Sequence, residues 1–328
     1  MKRRLAYLAL GGLLLLGGIV LWRSLRPGEL IHQDRTVSEW LRILADPKSD
    51  VLLRDEAENA FIALGTNSLP VLTNRLFASE TLYSRWRREG GEKWPAIIRD
   101  RLPDTLPAAL WRRAAAKQLS LLGSQAATTS PLLAAALADP DRVVRGYCYN
   151  LLNRLRAPAD VIVPGLLVAL RSPDPAIRVF GAGELGFIGP DAKAGVSALI
   201  VALDDQDESV RLNAIIALGR IGPAALPSVP ALRELLRNPK SEVRLNAATT
   251  LTRLDITEAK FSVPVLAALL KHEDQSMIEV ALRQLSDLGP HAAAAVPQVE
   301  ALLEHPDITL RRLAEEALSR MDKGGEVF

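Results

Sequence analysis

Arginine recurs along this chain at one interval: Arg112, Arg145, Arg178, Arg211 and Arg244 stand 33 residues apart. The register returns at Ile278 and Arg311, and it takes in Arg54 if about 25 extra residues separate the first copy from the second. A fixed period of this length predicts a solenoid of short helical units. A unit so small closes no core of its own and buries its apolar face only against its neighbours. Arrays grow by adding units, so a length of 328 residues does not require a second domain.

One period, Pro230 to Leu254, reads as a short helix, a turn and a second helix. Proline at Pro131, Pro164, Pro230, Pro264 and Pro297, interrupted by Ser197, is expected to open the first helix, where its missing N–H costs nothing. Asp50, Asp141, Asp174, Asp207, Asp274 and Asp307 lie four residues before the arginine position. There a carboxylate accepts from free amides at the start of the second helix and offsets its dipole. Ala108 and Lys240 depart from this series, and Ser241 is expected to cap in place of the latter. Val210, Ala214, Leu218 and Ile221, at spacings of four and three, form one apolar stripe. Gly65, Gly123, Gly189, Gly222 and Gly289 then stop the helix, as a left-handed terminal position prefers.

The pattern Asp-x-x-Val-Arg-x-x-Ala-x-x-x-Leu-x-x-Ile-Gly, found here at Asp207 to Gly222, resembles the HEAT repeat in its bacterial form, the form also present in phycobilisome lyase-like proteins. The resemblance runs from about residue 36 to 322. It implies an all-α, right-handed superhelical α-solenoid of about eight helical hairpins. It also implies protein-protein interaction through a concave face lined by the second helices, and it is far more specific for fold than for activity. The expected organisation is a cytoplasmic tip and membrane anchor at 1–27, a first repeat at 28–76, an insertion at 77–107, the repeat array at 108–322 and a tail at 323–328.

Leu5 to Trp22 is a run of 18 residues without a charge, which as a helix spans roughly 27 Å, enough for a bilayer core. The following residues, Trp22 to Arg26, offer no Ala-x-Ala-like cleavage site, so the run reads as an uncleaved transmembrane helix. Lys2, Arg3 and Arg4 precede it and Arg23 and Arg26 follow. That bias favours a cytoplasmic N-terminus and a single-pass protein with its repeats on the periplasmic side.

Composition narrows the chemistry. Forty basic residues against 38 acidic give a net charge of +2, which creates no global field for nucleic acid. Cys148 is the only cysteine, which excludes an internal disulfide and a thiolate-rich metal site. Some HEAT-like enzymes bind metal through several His-Glu pairs. This chain has one, His272-Glu273, while His32, His291 and His305 are scattered. No catalytic residue, cofactor, metal or small-molecule substrate is therefore expected. The expectation is a non-enzymatic, membrane-anchored scaffold that takes a protein or peptide partner. The alternative is an accessory or lyase-like factor acting on a modified protein.

Partner binding is expected on the second helices. Two, six and nine residues past each arginine lie Tyr147, Leu151 and Arg154; Phe180, Glu184 and Phe187; Asn213, Ala217 and Arg220; and Asn246, Thr250 and Arg253. These spacings share one helix face. A groove centred on Tyr147, Arg154, Phe180, Glu184, Phe187 and Arg220 would suit a peptide, with Glu184 fixing the two arginines. The competing reading buries the aromatic residues between helices. Trp86 and Trp94 of the insertion, beside Arg85, Arg87 and Arg88, either bind or pack over the first repeat. The ladder of Arg54, Arg112, Arg145, Arg178, Arg211, Arg244 and Arg311 is expected to be structural, bridging to carboxylates or carbonyls of the neighbouring repeat.

Overall fold

The computed structural model describes residues 29–82, 85 and 106–322. The expected membrane anchor, Trp86 and Trp94 of the insertion, and the tail lie outside them. The chain divides into two compact units, Met1–Thr129 and Ser130–Phe328.

The described part of the first unit opens with a feature that the all-α expectation did not contain. Strand β1 (Ile31–His32) pairs antiparallel with β2 (Arg35–Thr36). Gln33 and Asp34 form the two-residue turn with φ of 51° and 61°, the conformation that matches the twist of the flanking strands. Thr36 then caps α1 (Val37–Ala45): its hydroxyl accepts from the Glu39 amide and the Glu39 carboxylate accepts from the Thr36 amide, a reciprocal capping box. Trp40 is buried beneath the hairpin and donates from Nε1 to the His32 carbonyl at 2.9 Å. Helices α2 (Val51–Leu64), α3 (Leu69–Leu76) and α4 (Ala108–Leu122) complete this unit.

The second unit stacks helical hairpins in sequence. First helices α5 (Ser130–Ala135), α7 (Ala159–Ala169), α9 (Val196–Ala202), α11 (Val229–Leu235), α13 (Ala259–Leu269) and α15 (Val296–Glu300) alternate with second helices. The second helices are α6 (Arg142–Arg154), α8 (Pro175–Ile188), α10 (Glu208–Ile221), α12 (Ser241–Leu254), α14 (Gln275–Leu288) and α16 (Ile308–Asp322). The stripe Val210, Ala214, Leu218 and Ile221 is buried, as its spacing requires. Pro175–Ala202 and Glu208–Leu235 are long and apolar enough to cross a membrane by length and composition. Each is a second helix followed by the next first helix, broken at Gly189 or Gly222, where φ is 71° or 76°.

Local signals hold at most positions. The Asp141, Asp174, Asp207, Asp274 and Asp307 side chains accept from amides in the first turn of their helices. Two expectations fail. Lys240 stands at the cap of α12 without a capping side chain, and Ser241 is already helical, its hydroxyl accepting from Arg244 Nη2 at 3.0 Å instead. Pro164 and Pro264 lie inside α7 and α13 rather than at their starts. These are the helices whose preceding glycine stop is replaced, by Arg156 with φ of 52° and by Asp255 with φ of −150°. Without the glycine stop the connection shortens and the next helix begins several residues earlier, at Ala159 or Ala259.

The arginines close the turn of their own hairpin, not the neighbouring one as the sequence suggested. In Arg145, Arg178, Arg211, Arg244 and Arg311, Nη1 donates to the carbonyls six and five residues earlier, at 2.6–3.2 Å. Those carbonyls belong to the turn between the two helices, where no helical amide reaches them. Arg54 makes the equivalent bond to Asp46 at 3.0 Å. Arg112 donates to the Ala78 carbonyl at 2.9 Å, and the Glu80 carboxylate accepts from the Ala108 amide, which replaces the missing aspartate cap. The insertion therefore interrupts an inter-helix turn whose clasp persists. Arg178 also reaches the next hairpin, donating Nε and Nη2 to the two Asp205 oxygens at 2.7 and 2.8 Å. The Arg178 bond holds the Asp205 carboxyl below its ordinary 3.8.

Loss of two charge-assisted bonds in Arg211→Ala is expected to cost about 1–2 kcal/mol. Arg178→Ala should lose more, because it also opens the Asp205 pair. Asp205 has a depressed pKa, so this extra stability is complete above its ordinary value of 3.8 and disappears as pH falls through the folded value. Denaturation of both variants at pH 7 and near pH 3 checks this. Equal midpoints for the two variants at pH 7 would contradict it.

Candidate functional site

The second helices of the second unit pack through small residues. A Cβ on Gly186 would stand 2.8 Å from the Ala217 Cα, and one on Gly219 would stand 3.0 Å from Thr250 Oγ1. Backbones of α8, α10 and α12 therefore lie close together along one seam. Thr250 is buried there and donates from Oγ1 to the Ile215 carbonyl at 3.2 Å, a bond from one hairpin to the next. Between α6 and α8 the filling is bulky instead. The Tyr149 and Phe180 rings meet edge-on at 6.0 Å and 82°, and the Arg145 guanidinium lies 5.3 Å from the Phe180 ring centroid.

The sequence strip separates into three levels on this surface. Tyr147, Phe180, Asn213 and Asn246 are half-buried. Leu151, Ala217 and Thr250 are buried, and Glu184 is half-buried in the same register. Arg154, Phe187, Arg220 and Arg253 are exposed, with Phe187 at 74%. The two phenylalanines thus differ. Phe180 is part of the packing between hairpins, whereas Phe187 presents its ring to solvent one residue past the Gly186–Ala217 seam.

Glu184 does not clamp the arginines. Neither Arg154 nor Arg220 is among the influences on its carboxyl, whose pKa is raised by burial and partly relieved by the Tyr149 hydroxyl. That hydroxyl is buried, and Glu184 and Asn153 stand beside it outside hydrogen-bonding geometry. Burial first, and then the Glu184 carboxyl, push the phenol up. Cys148, next in sequence, is buried, and burial with the nearby Asp139 charge pushes its thiol up to about 12. It is a packed thiol, not an activated nucleophile.

Two of the four histidines serve the turns. His272 Nδ1 accepts from the Asp274 amide at 3.0 Å and His305 Nδ1 from the Asp307 amide at 3.1 Å. Asp139, Ser172, Asp205 and Asn238 accept in the same way from the residue two further on. This acceptor position, six residues before the arginine register, escaped the sequence reading. Its 33-residue spacing was the available signal, masked because four residue types share one task. Among the described residues, no group of three or more His, Cys, Asp or Glu could hold a metal ion. Of the aromatic residues near the insertion, Trp111 is half-buried under Arg75, whose guanidinium lies 4.5 Å from a ring centroid.

Stacked helical hairpins with a capped, arginine-clasped turn define an all-α repeat protein. Residues 163–252 and 229–319 match the family model of HEAT repeats, and this part of the chain is an array of such repeats. No curated protein matches the sequence. Similar solved structures include an archaeal HEAT-like repeats protein from Thermococcus onnurineus NA1, with 16% identity over 65% of this chain and 93% of that one and a TM-score of 0.46. A designed armadillo repeat protein in complex with the peptide (KR)4 gives 16%, 58%, 99% and 0.43 in the same order. The complex of CpcE and CpcF of phycocyanin lyase from Nostoc sp. PCC7120 gives 22%, 90%, 97% and 0.34.

Glu184→Gln tests the electrostatics of this face. A carboxyl with a raised folded pKa contributes stability that is complete below its ordinary 4.5 and is lost as pH rises through the folded value. The variant should therefore melt above the wild type at pH 7–8, with the difference vanishing below pH 4.5. A lower midpoint for the variant at pH 8 would show that the ionised carboxylate is held by a favourable contact instead.

Proposed function

We propose that this protein is a membrane-anchored, non-enzymatic scaffold that binds a protein or peptide on the second-helix face of hairpins α5–α6 to α9–α10. The observation that carries this reading is Phe187, 74% exposed on a face otherwise lined by packed or polar groups. Two turns earlier on the same helix, Phe180 packs against Tyr149 and Arg145, which ties α8 to α6 before any partner arrives. An exposed aromatic on a rigid base is the kind of group that carries interface energy. The apolar run from Leu5 to Trp22 supplies the proposed anchor, and the basic residues before it favour repeats on the periplasmic side.

Phe187→Asp should leave the melting midpoint within about 0.5 kcal/mol of wild-type stability, because the side chain is exposed. It should weaken partner capture from detergent extracts by roughly 2 kcal/mol or more, about thirtyfold. Phe180→Asp should instead lower the midpoint, since it places a charge between hairpins. Full capture by folded Phe187→Asp would remove this face from consideration and leave the tryptophan-bearing insertion.

Topology is tested separately. Alkaline phosphatase fused after Phe328 should be active, and intact mass should retain residues 1–27. An inactive fusion overturns the orientation, and loss of the first residues overturns the anchor.

A further inference from the structure

The residues nine positions past the arginine register form a row across the second helices: Arg154, Phe187, Arg220 and Arg253, one per hairpin. Consecutive positions of this register are adjacent in space, as the last two hairpins demonstrate, where Asp287 and Arg320 form an ion pair at 3.2 Å. Arg320 is further held by Glu316 at 2.8 Å. There the row neutralises itself. Further up it does not: Arg220 and Arg253 are exposed and enter no ion pair among the described residues. The carboxylates nearest in sequence are otherwise occupied or positioned. Asp255 accepts from the Thr257 amide, Glu258 is paired with Arg233, and Glu184 lies half-buried one turn back on α8. Asp191 and Lys193, both exposed after α8, offset one another in charge.

Arginine in the last turn of a helix also complements the helix dipole, and that accounts for a cation at each site. It does not account for Phe187 in the same row, nor for the change from the self-paired Asp287 and Arg320 to Arg220 and Arg253, which enter no ion pair among the described residues. Resting on the scaffold reading above, we infer that this row is a docking strip for an extended acidic protein segment with one apolar anchor, seated on Phe187 and flanked by carboxylates that meet Arg220 and Arg253. Arg154 continues the row on the other side of the anchor. Packed helices lie about 8–10 Å apart and an extended chain advances about 3.3 Å per residue, so successive contacts fall about three residues apart. The recognised pattern is therefore an aromatic or aliphatic residue followed by Asp or Glu at about every third position. Each exposed ion pair contributes little alone, so selectivity requires the anchor and the row together.

The test uses the full chain in neutral detergent micelles, panned against a random twelve-residue peptide library, with Phe187→Ser and the double variant Arg220→Glu, Arg253→Glu as comparisons. All three positions are exposed, and melting curves confirm folding before panning. The expected result is enrichment of acidic peptides bearing one large apolar residue. Their affinity should fall at least about tenfold in each variant and should weaken with salt. Enriched peptides that are basic or uncharged, yet lost with Phe187→Ser, would overturn the acidic partner and leave the scaffold reading standing. Peptides bound equally by wild type and both variants would overturn both readings. Absence of enrichment also overturns the inference. Binding of phosphatidylglycerol vesicles abolished by charge reversal would then reassign the row to a lipid surface.

Discussion

One bond set recurs through the array and sets its hairpins: a guanidinium that closes the inter-helix turn everywhere among the described repeats but at Ile278. Where two antiparallel helices meet, the last carbonyls of the first helix and the first amides of the second have no helical partners. Five hairpins satisfy the carbonyls with arginine Nη1 and the amides with an aspartate cap or, before α12, leave the cap to the turn itself. Arginine suits the task because its planar fork presents several donors in fixed directions, so one side chain serves two carbonyls and retains donors for a further contact. Arg178 uses that surplus on Asp205. Ile278 shows that the turn survives without the fork when the side chain is buried at 5% exposure, and there His272 still holds the following amide.

Much of this was legible in the sequence because it repeats. The period, the aspartate caps and the glycine stops each recur at fixed offsets, and all five glycines named from the sequence have φ between 51° and 76°. What was not legible depended on substitutions within the period. Arg156 and Asp255 replace two stops, and the consequence appears three to four residues later as an early helix start that leaves Pro164 and Pro264 inside. The β1–β2 hairpin lies outside the period, so periodicity carried no signal for it. The direction of the arginine clasp was missed for a geometric reason. Spacing gives the helix face of a side chain, but the target of a long flexible one is set by where unpaired carbonyls fall.

The candidate face exposes the same limit. Phe180 and Phe187 are one residue type on one helix, and only their offsets of two and nine from the register distinguish them. At the first offset the ring meets Tyr149 and Arg145 across the wider gap between α6 and α8. At the second, Gly186 and Ala217 bring α8 and α10 so close that no side chain fits between the backbones, and the adjacent ring is directed outward. The small residues at this seam do two things. They fix the helix spacing, and they leave no room at the seam for the Phe187 ring, whereas Leu185 and Leu218 beside them turn into the core.

This separation has a consequence for how such a face can vary. The clasp lies at the start of each second helix and the exposed row nine residues further along, about 13 Å away at 1.5 Å per residue. Between them runs the buried level of Leu151, Ala217 and Thr250, which carries the hairpin-to-hairpin packing. Groups so far apart that share no partner contribute nearly additively. Substitutions in the row then change what the surface recognises with little effect on the turns that hold the array. Substitutions in the clasp loosen the hairpin without altering the chemistry presented to a partner. Glu184 is the exception, since it shares the register of the buried level beside Tyr149 and yet lies one helical turn before the exposed Phe187. Its charge state is the one place where stability and the candidate surface are coupled.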